Sequence, residues 1–168
     1  MSKRDLDPAQ ALKALTDGGV RFVVIGGIAG KLWGSPAVTV DLDICYARDP
    51  ANLEALAEVL RRLQARLRGV RDDVPFQLDA RSLAIGDHFT FTTSAGDLDI
   101  LGLPAGTEGY SALRERATSV EVEGVELWVA SLEDLIRMKR AAGRARDLRD
   151  VEILTAVRDE RKLSGESE

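Results

Sequence analysis

The sequence has few of the residues that hold small proteins together covalently or through zinc. Its 168 residues include one cysteine, Cys45, and one histidine, His88. A lone cysteine cannot form an intrachain disulfide, and a lone histidine without neighbouring cysteines makes a poor zinc site. These shortages argue against a disulfide-stapled scaffold and against a zinc module. They indicate a reducing compartment, and we expect a cytoplasmic protein.

Long apolar runs and an excess of positive charge are also missing. The longest apolar runs, such as Phe22–Ile25, are far shorter than the ~20 residues that span a bilayer, and the polar first residues do not resemble a signal peptide. The net charge is -5, whereas domains that coat nucleic acid are usually strongly basic. A Gly-x-x-x-x-Gly-Lys-Ser/Thr loop is absent, which excludes a Walker-type NTPase. We therefore expect no membrane partner and no broad coating of nucleic acid.

The composition that remains is that of a globular α/β protein. Hydrophobic residues make up 45% and charged residues 30% of the chain, which allows a sizeable core. We expect a single domain over residues 1–168, with its core at about 20–155 and a polar, frayed tail from about 158. The expected fold is a mixed β-sheet with helices packed on it.

Local patterns predict the elements of that fold. Asp49-Pro50 opens a helix that is expected to continue to Arg68, because leucines recur at helical spacing. Two hairpins are predicted, at 89–101 and at 118–129, because strand-like runs flank short turns. Ser131 is expected to cap a helix near the C-terminus.

A predicted strand over residues 38–46 carries two aspartates. Apolar and polar side chains alternate along it, so Asp41 and Asp43 project from one face. The opposite, apolar face is expected to comprise Val38, Val40, Leu42 and Ile44. Carboxylates only ~7 Å apart along a strand repel each other and usually need a cation between them. Mg²⁺ or Mn²⁺ suits such oxygen ligands, although a solvated acid pair is the commoner interpretation of an isolated Asp-x-Asp.

Two glycines precede this strand at the end of an earlier one. The strand predicted over 20–25 ends in Gly26-Gly27 and leads into a helix. Exposed backbone N–H groups at such a turn can bind a phosphate, and glycine allows close approach. Taken by themselves, the two glycines are better explained by a tight strand-to-helix turn, which also favours glycine.

The two features together resemble the polymerase-beta-type nucleotidyltransferase superfamily. Its pattern is a hydrophobic residue with Gly-Gly or Gly-Ser, a spacer, and an Asp-hydrophobic-Asp strand; here Ile25-Gly26-Gly27 precedes Asp41-Leu42-Asp43-Ile44 by thirteen residues. The superfamily also has a third carboxylate on a later strand between hydrophobic residues, and Leu98-Asp99-Ile100 fits that description. Asp97, on the same strand face, is the alternative. Gly27 stands where relatives often have serine, and the basic residue often found shortly before the strand is missing.

The segment 131–150 resembles one branch of the superfamily. It matches the Lys…Arg…Asp element of small bacterial nucleotidyltransferases associated with toxin–antitoxin systems, the AbiEii-like and MNT-like proteins. The resemblance implies that Lys139 and Arg144 contact a triphosphate and that Asp147 orients them. A solvated helix face and a helix N-cap are the alternatives for these residues.

The resemblance implies an enzyme. Asp41, Asp43 and Asp99 would be catalytic metal ligands for Mg²⁺ or Mn²⁺, and Gly26 and Gly27 would bind nucleotide with Lys139 and Arg144. The reaction would move a nucleoside monophosphate from an NTP such as ATP to a hydroxyl of an RNA, a protein or a small molecule. A partner-dependent or non-catalytic antitoxin-like module that binds a cognate toxin or antitoxin is the alternative. Metal-dependent phosphoryl or pyrophosphoryl transfer on the same scaffold is a third hypothesis.

Overall fold

A computed structural model describes residues 5–165 of the chain as a mixed β-sheet with seven helices. The strands are β1 (Phe22–Ile25), β2 (Asp41–Tyr46), β3 (Arg66–Leu67), β4 (His88–Thr93), β5 (Gly96–Leu101), β6 (Thr118–Val122) and β7 (Val125–Val129). The helices are α1 (Pro8–Asp17), α2 (Gly26–Leu32), α3 (Pro50–Arg62), α4 (Ala80–Ile85), α5 (Tyr110–Arg116), α6 (Leu132–Ala142) and α7 (Ala145–Leu163). The expected α/β class and both predicted hairpins, β4–β5 and β6–β7, are confirmed.

The strand with the two aspartates lies in the middle of the sheet. The strand order is β3-β4-β5-β2-β1-β7-β6. Strand β2 is antiparallel to β1 and parallel to β5. Its Leu42 and Ile44 are fully buried in the core, as the alternation predicts. Burial of one face holds the register of β2 and thereby fixes where its acidic face points.

Strand β2 is shorter than the alternation predicts. The side chains of Val38 and Val40 are 94% and 58% exposed, so the expectation that they share the buried face of Leu42 is wrong. The backbone pairing of β2 does not reach them on either side. The last residue of β1 pairs with Asp43, and β5 pairs with β2 from Asp41 onward. Without a pairing partner on either side, residues before Asp41 form a loop.

Helix α3 is also shorter than its leucine spacing predicts. It ends at Arg62 and does not continue to Arg68. Gln64 adopts a left-handed backbone conformation with φ of 54°, which terminates helices because the chain turns away from the helical path. Leu67 then lies on β3, where it pairs with Phe91 of β4. This turn carries Arg68 to the acidic face of the sheet.

The C-terminal segment is more ordered than expected. Helix α7 runs past residue 158 to Leu163, so the prediction of a frayed tail from about 158 is wrong within the described residues. The guanidinium of Arg158 lies 3.0 Å from Glu133 on α6, which ties the two helices together. Among the helices of residues 5–165, none combines the length and the apolar character needed to cross a bilayer.

Candidate active site

Four aspartates lie side by side on the central strands. Asp43 of β2 is paired in register with Asp99 of β5, and Asp41 with Asp97. Residues paired across neighbouring strands project from the same face of the sheet. The structure therefore brings together the three carboxylates predicted from the sequence. It adds Asp97, which is 5% exposed, as a fourth carboxylate on the same face.

A guanidinium lies among these acids. Arg68 Nη2 is 2.6 Å from Asp99 Oδ1, and Arg68 Nη1 is 3.4 Å from Asp97 Oδ2 and 3.9 Å from Asp41 Oδ1. Burial raises the pKa of Asp99, although the hydrogen bond and the charge of Arg68 act in the opposite direction. Arg68 thus neutralises part of the negative charge that two neighbouring acidic strands create.

The ion pairs of Arg68 also shape the carboxylate arrangement. Within residues 5–165, no three His, Cys, Asp or Glu side chains are arranged as a ready metal-binding group. Three of the four carboxylates form ion pairs with the guanidinium. The donor set still fits a hard divalent cation, because all four side chains offer only oxygen atoms from one sheet face. Asp41, Asp43 and Asp99 are the residues that would hold it.

Asp43 is poorly suited to carry a charge in the folded chain. Its pKa rises from the usual 3.8 to about 7, first because it is buried and then because Asp99 and Asp41 add negative charge. The positive charge of Lys139 partly offsets this rise. A bound cation would remove the penalty, since an adjacent positive charge favours the ionised form.

The pKa of Asp43 predicts how the stability of the metal-free protein depends on pH. Between about pH 4 and pH 7 the folded state keeps a proton that the unfolded chain has lost. The contribution of Asp43 to the free energy of unfolding is therefore present at low pH and falls as the pH rises, by at most ~1.4 kcal/mol per pH unit, until about pH 7. Urea unfolding in EDTA across this range should show a steeper decline for the native chain than for an Asp43→Asn variant. Identical pH profiles of stability for the two proteins would contradict a raised pKa of Asp43.

The glycine pair at the end of β1 makes room for the acidic strand. Gly26 has φ of +69°, and a Cβ there would lie 2.8 Å from Cγ of Asp43 and 2.9 Å from its Cβ. A Cβ on Gly27 would lie 2.6 Å from Thr39 Oγ1. The Thr39 hydroxyl, which donates to the backbone carbonyl of Asp41 at 3.0 Å, therefore occupies the space that a serine at position 27 would need. Its position gives a steric reason for glycine where relatives often have serine.

The predicted basic residues lie on the C-terminal helices. Lys139 Nζ on α6 is 3.1 Å from Asp150 and 3.5 Å from the fully buried Asp147, both on α7. Arg144 is largely exposed and donates to Asp147 at 2.6 Å. The positive charge of Lys139 acts on Asp43 by lowering its pKa, whereas the ion pair of Arg144 is with Asp147.

Asp147 pairs with both predicted basic residues, and it helps to cap α7 without being its N-cap residue, which is Arg144. It occupies the third position of α7, where its carboxylate accepts a hydrogen bond from the backbone N–H of Arg144 at 3.2 Å. Burial acts against its ionised form, but the hydrogen bonds from Arg144 and the charge of Lys139 lower the pKa of Asp147. It therefore caps the helix and also holds the Lys139 ammonium, which orients that group.

Arg68 is the site residue that the sequence analysis missed. The leucine spacing assigned it to the end of a helix, and the resemblance supplied no position for a basic residue after that helix. One signal was available, since Arg66 and Arg68 are two residues apart next to Gly69, a spacing that also fits a strand end before a turn.

Comparisons with known proteins identify the family and the fold. A family model described as nucleotidyltransferase of unknown function (DUF6036) matches residues 6–160. The lincomycin-bound crystal structure of the lincosamide antibiotic adenylyltransferase LnuA is similar over 92% of this chain and 99% of its own, with a TM-score of 0.61 and 11% identity. A candidate nucleotidyltransferase from Thermotoga maritima is similar over 86% of this chain and 87% of its own, with a TM-score of 0.56 and 19% identity. No curated protein matches the sequence.

These structural likenesses, at such low identities, establish the fold. The nucleotidyltransferase fold expected from the sequence is confirmed. The family match supports the superfamily, whereas the toxin–antitoxin branch stays a prediction.

Proposed function

The chain belongs to the DUF6036 family of nucleotidyltransferases of unknown function, and from this premise we propose that it transfers a nucleoside monophosphate from an NTP to an acceptor hydroxyl. The observation that supports this most is the register of the two parallel acidic strands, which sets Asp43 beside Asp99 and Asp41 beside Asp97. Like charges in such proximity are costly unless a cation joins them.

The site residues have distinct proposed roles. Asp41, Asp43 and Asp99 would hold Mg²⁺ or Mn²⁺, and the bound metal would stabilise charge on the attacking and leaving oxygens of an in-line displacement. Gly26 and Gly27 would offer backbone N–H groups to a phosphate next to Asp43. Lys139, held by Asp147 and Asp150, would neutralise triphosphate charge, and Arg144 would add a forked contact to it.

The proposed acceptor is a hydroxyl group on one of three classes of molecule. RNA, a protein and a small molecule all present suitable hydroxyl groups. The net charge of -5 disfavours extended contact with an RNA backbone. The fold likeness to an enzyme whose name gives a lincosamide antibiotic as substrate supports testing small hydroxylated molecules first.

A partner-dependent or non-catalytic binding module is the second candidate. The ion pairs of Arg68 favour it, because they neutralise the acids without a metal. A cognate toxin or antitoxin protein would be the partner, as the resemblance of 131–150 implies. Phosphoryl or pyrophosphoryl transfer on the same acids remains a third hypothesis.

Calorimetric titration of each nucleoside triphosphate, with and without Mg²⁺, tests the enzyme proposal. We expect binding that requires the metal and that weakens at least about 100-fold in the Asp41→Asn/Asp43→Asn double variant, because two metal ligands are lost. The matched control is Asp72→Asn/Asp73→Asn, which removes an exposed acid pair bonded to Arg66 and Arg71. Absence of triphosphate binding by the folded native protein would contradict a stand-alone enzyme and favour the binding module.

A further inference from the structure

Arg68 is bound to the very carboxylates that the proposed metal needs. We propose that Arg68 is the internal counter-ion of the acidic cluster and that it exchanges the carboxylates for triphosphate oxygens when metal and nucleotide bind. This inference rests on the proposed nucleotidyltransferase function. It assigns to Arg68 a positioning role that makes metal binding and nucleotide binding depend on each other.

The geometry places the guanidinium where it competes with a metal. Its two terminal nitrogens reach both acidic strands, with Nη2 at 2.6 Å from Asp99 and Nη1 at 3.4 Å from Asp97 and 3.9 Å from Asp41. A divalent cation on Asp99 and Asp41 would lie next to this fixed positive charge. Arg68 must therefore leave these acids or share them at a cost, because like charges in a partly buried site repel strongly.

The backbone of Arg68 is held in place, whereas its side chain is partly exposed and is held, apart from the carboxylates, by a 3.5 Å hydrogen bond from Nη1 to the carbonyl of Phe91. Its backbone N–H donates to the carbonyl of Thr90 at 2.9 Å, which holds the residue at the end of β3. The side chain is 29% exposed, so one side of it faces solvent. Its long aliphatic stem allows the guanidinium to swing between anions a few ångströms apart.

A triphosphate is the anion that completes the exchange. Arginine binds phosphate oxygens in a forked geometry, as it binds carboxylates. A metal alone would expel the guanidinium without offering it a new partner, whereas a metal–triphosphate complex brings the partner with it. The expected result is positive coupling, in which triphosphate strengthens metal binding and the metal strengthens triphosphate binding.

The test is titration of Mn²⁺ alone into the native chain, Arg68→Gln and Arg68→Lys, followed by titration of ATP in saturating Mn²⁺. We expect Arg68→Gln to bind Mn²⁺ alone about tenfold more tightly and ATP about tenfold more weakly than the native chain, as a lost coupling of ordinary size predicts. Arg68→Lys keeps the charge but not the forked guanidinium, so its affinities for Mn²⁺ and ATP should lie between those of the native chain and of Arg68→Gln. Arg66→Gln is the matched control, because Arg66 pairs with the exposed Asp72 and its loss should change neither affinity.

The outcomes separate the two proposals. A gain in Mn²⁺ affinity is a readout that structural damage does not produce. If Arg68→Gln binds Mn²⁺ no more tightly than the native chain while ATP binding remains metal-dependent, the exchange is wrong and the proposed function stands. If no form binds ATP with Mn²⁺, the proposed function is wrong, and the exchange is overturned with it.

Discussion

Replacement of Asp43 by asparagine is expected to weaken metal-dependent triphosphate binding about 100-fold while making the metal-free protein more stable at neutral pH. The two effects have one cause. The carboxylate of Asp43 lies beside Asp99, and burial with the neighbouring negative charges raises its pKa to about 7. Ionisation of Asp43 therefore costs folding free energy unless a cation is bound. Asparagine has nearly the same shape and carries no charge, so it removes both the cost and the metal ligand.

The gain in stability is expected to be about 1–3 kcal/mol above pH 7. Urea unfolding in EDTA measures it, and calorimetry with Mg²⁺ and ATP measures the loss of binding. Asp73→Asn is the matched control, because Asp73 is exposed and its hydrogen bond with Arg71 lowers its pKa. That variant should not gain stability and should bind triphosphate as the native chain does. If the Asp43→Asn variant is less stable than the native chain in EDTA, the ionised carboxylate of Asp43 does not lower the free energy of unfolding.

The sequence predicted the acidic strands because their side chains obey a simple period. Asp41 and Asp43 alternate with Leu42 and Ile44, and Asp99 lies between Leu98 and Ile100. The glycine between the two strand-like runs likewise predicted the turn between β4 and β5. The parallel register that sets Asp43 beside Asp99 joins residues far apart in sequence. This register depends on the assembled sheet, so the sequence did not predict it; the superfamily resemblance supplied only a third carboxylate on a later neighbouring strand.

The misses share a physical cause, which is that a local pattern continued beyond the element it predicted. Leucine spacing persisted past Arg62, but the left-handed backbone of Gln64 ended the helix. Apolar alternation likewise began at Val38, before any neighbouring strand was available for pairing. Tertiary contacts set the ends of elements more than local propensity does. The first of these errors concealed Arg68, the cation of the candidate site.

Substitution of Gly26 by alanine is expected to damage both the fold and the site. Two separate penalties apply at this position. The φ of +69° disfavours any L-residue by about 1–2 kcal/mol. The added methyl group would also overlap the side chain of Asp43, lying 2.8 Å from its Cγ and 2.9 Å from its Cβ. Contacts this short force the neighbouring strand or side chain to shift. Such a shift typically lowers the free energy of unfolding by a further ~1–3 kcal/mol.

Gly19→Ala separates the two penalties, because Gly19 has a similar φ of +74° and no heavy atom within 4 Å of the Cβ position. Urea unfolding should show a loss of about 1–2 kcal/mol for Gly19→Ala and about 2–5 kcal/mol for Gly26→Ala. Triphosphate binding with Mg²⁺ should survive the first substitution and be lost in the second, since Asp43 is displaced. Equal losses of stability in the two variants would mean that Asp43 moves aside at little cost. The close approach of β2 to the end of β1 would then not be the reason for glycine at position 26, and the role of Gly26 would be confined to its backbone conformation.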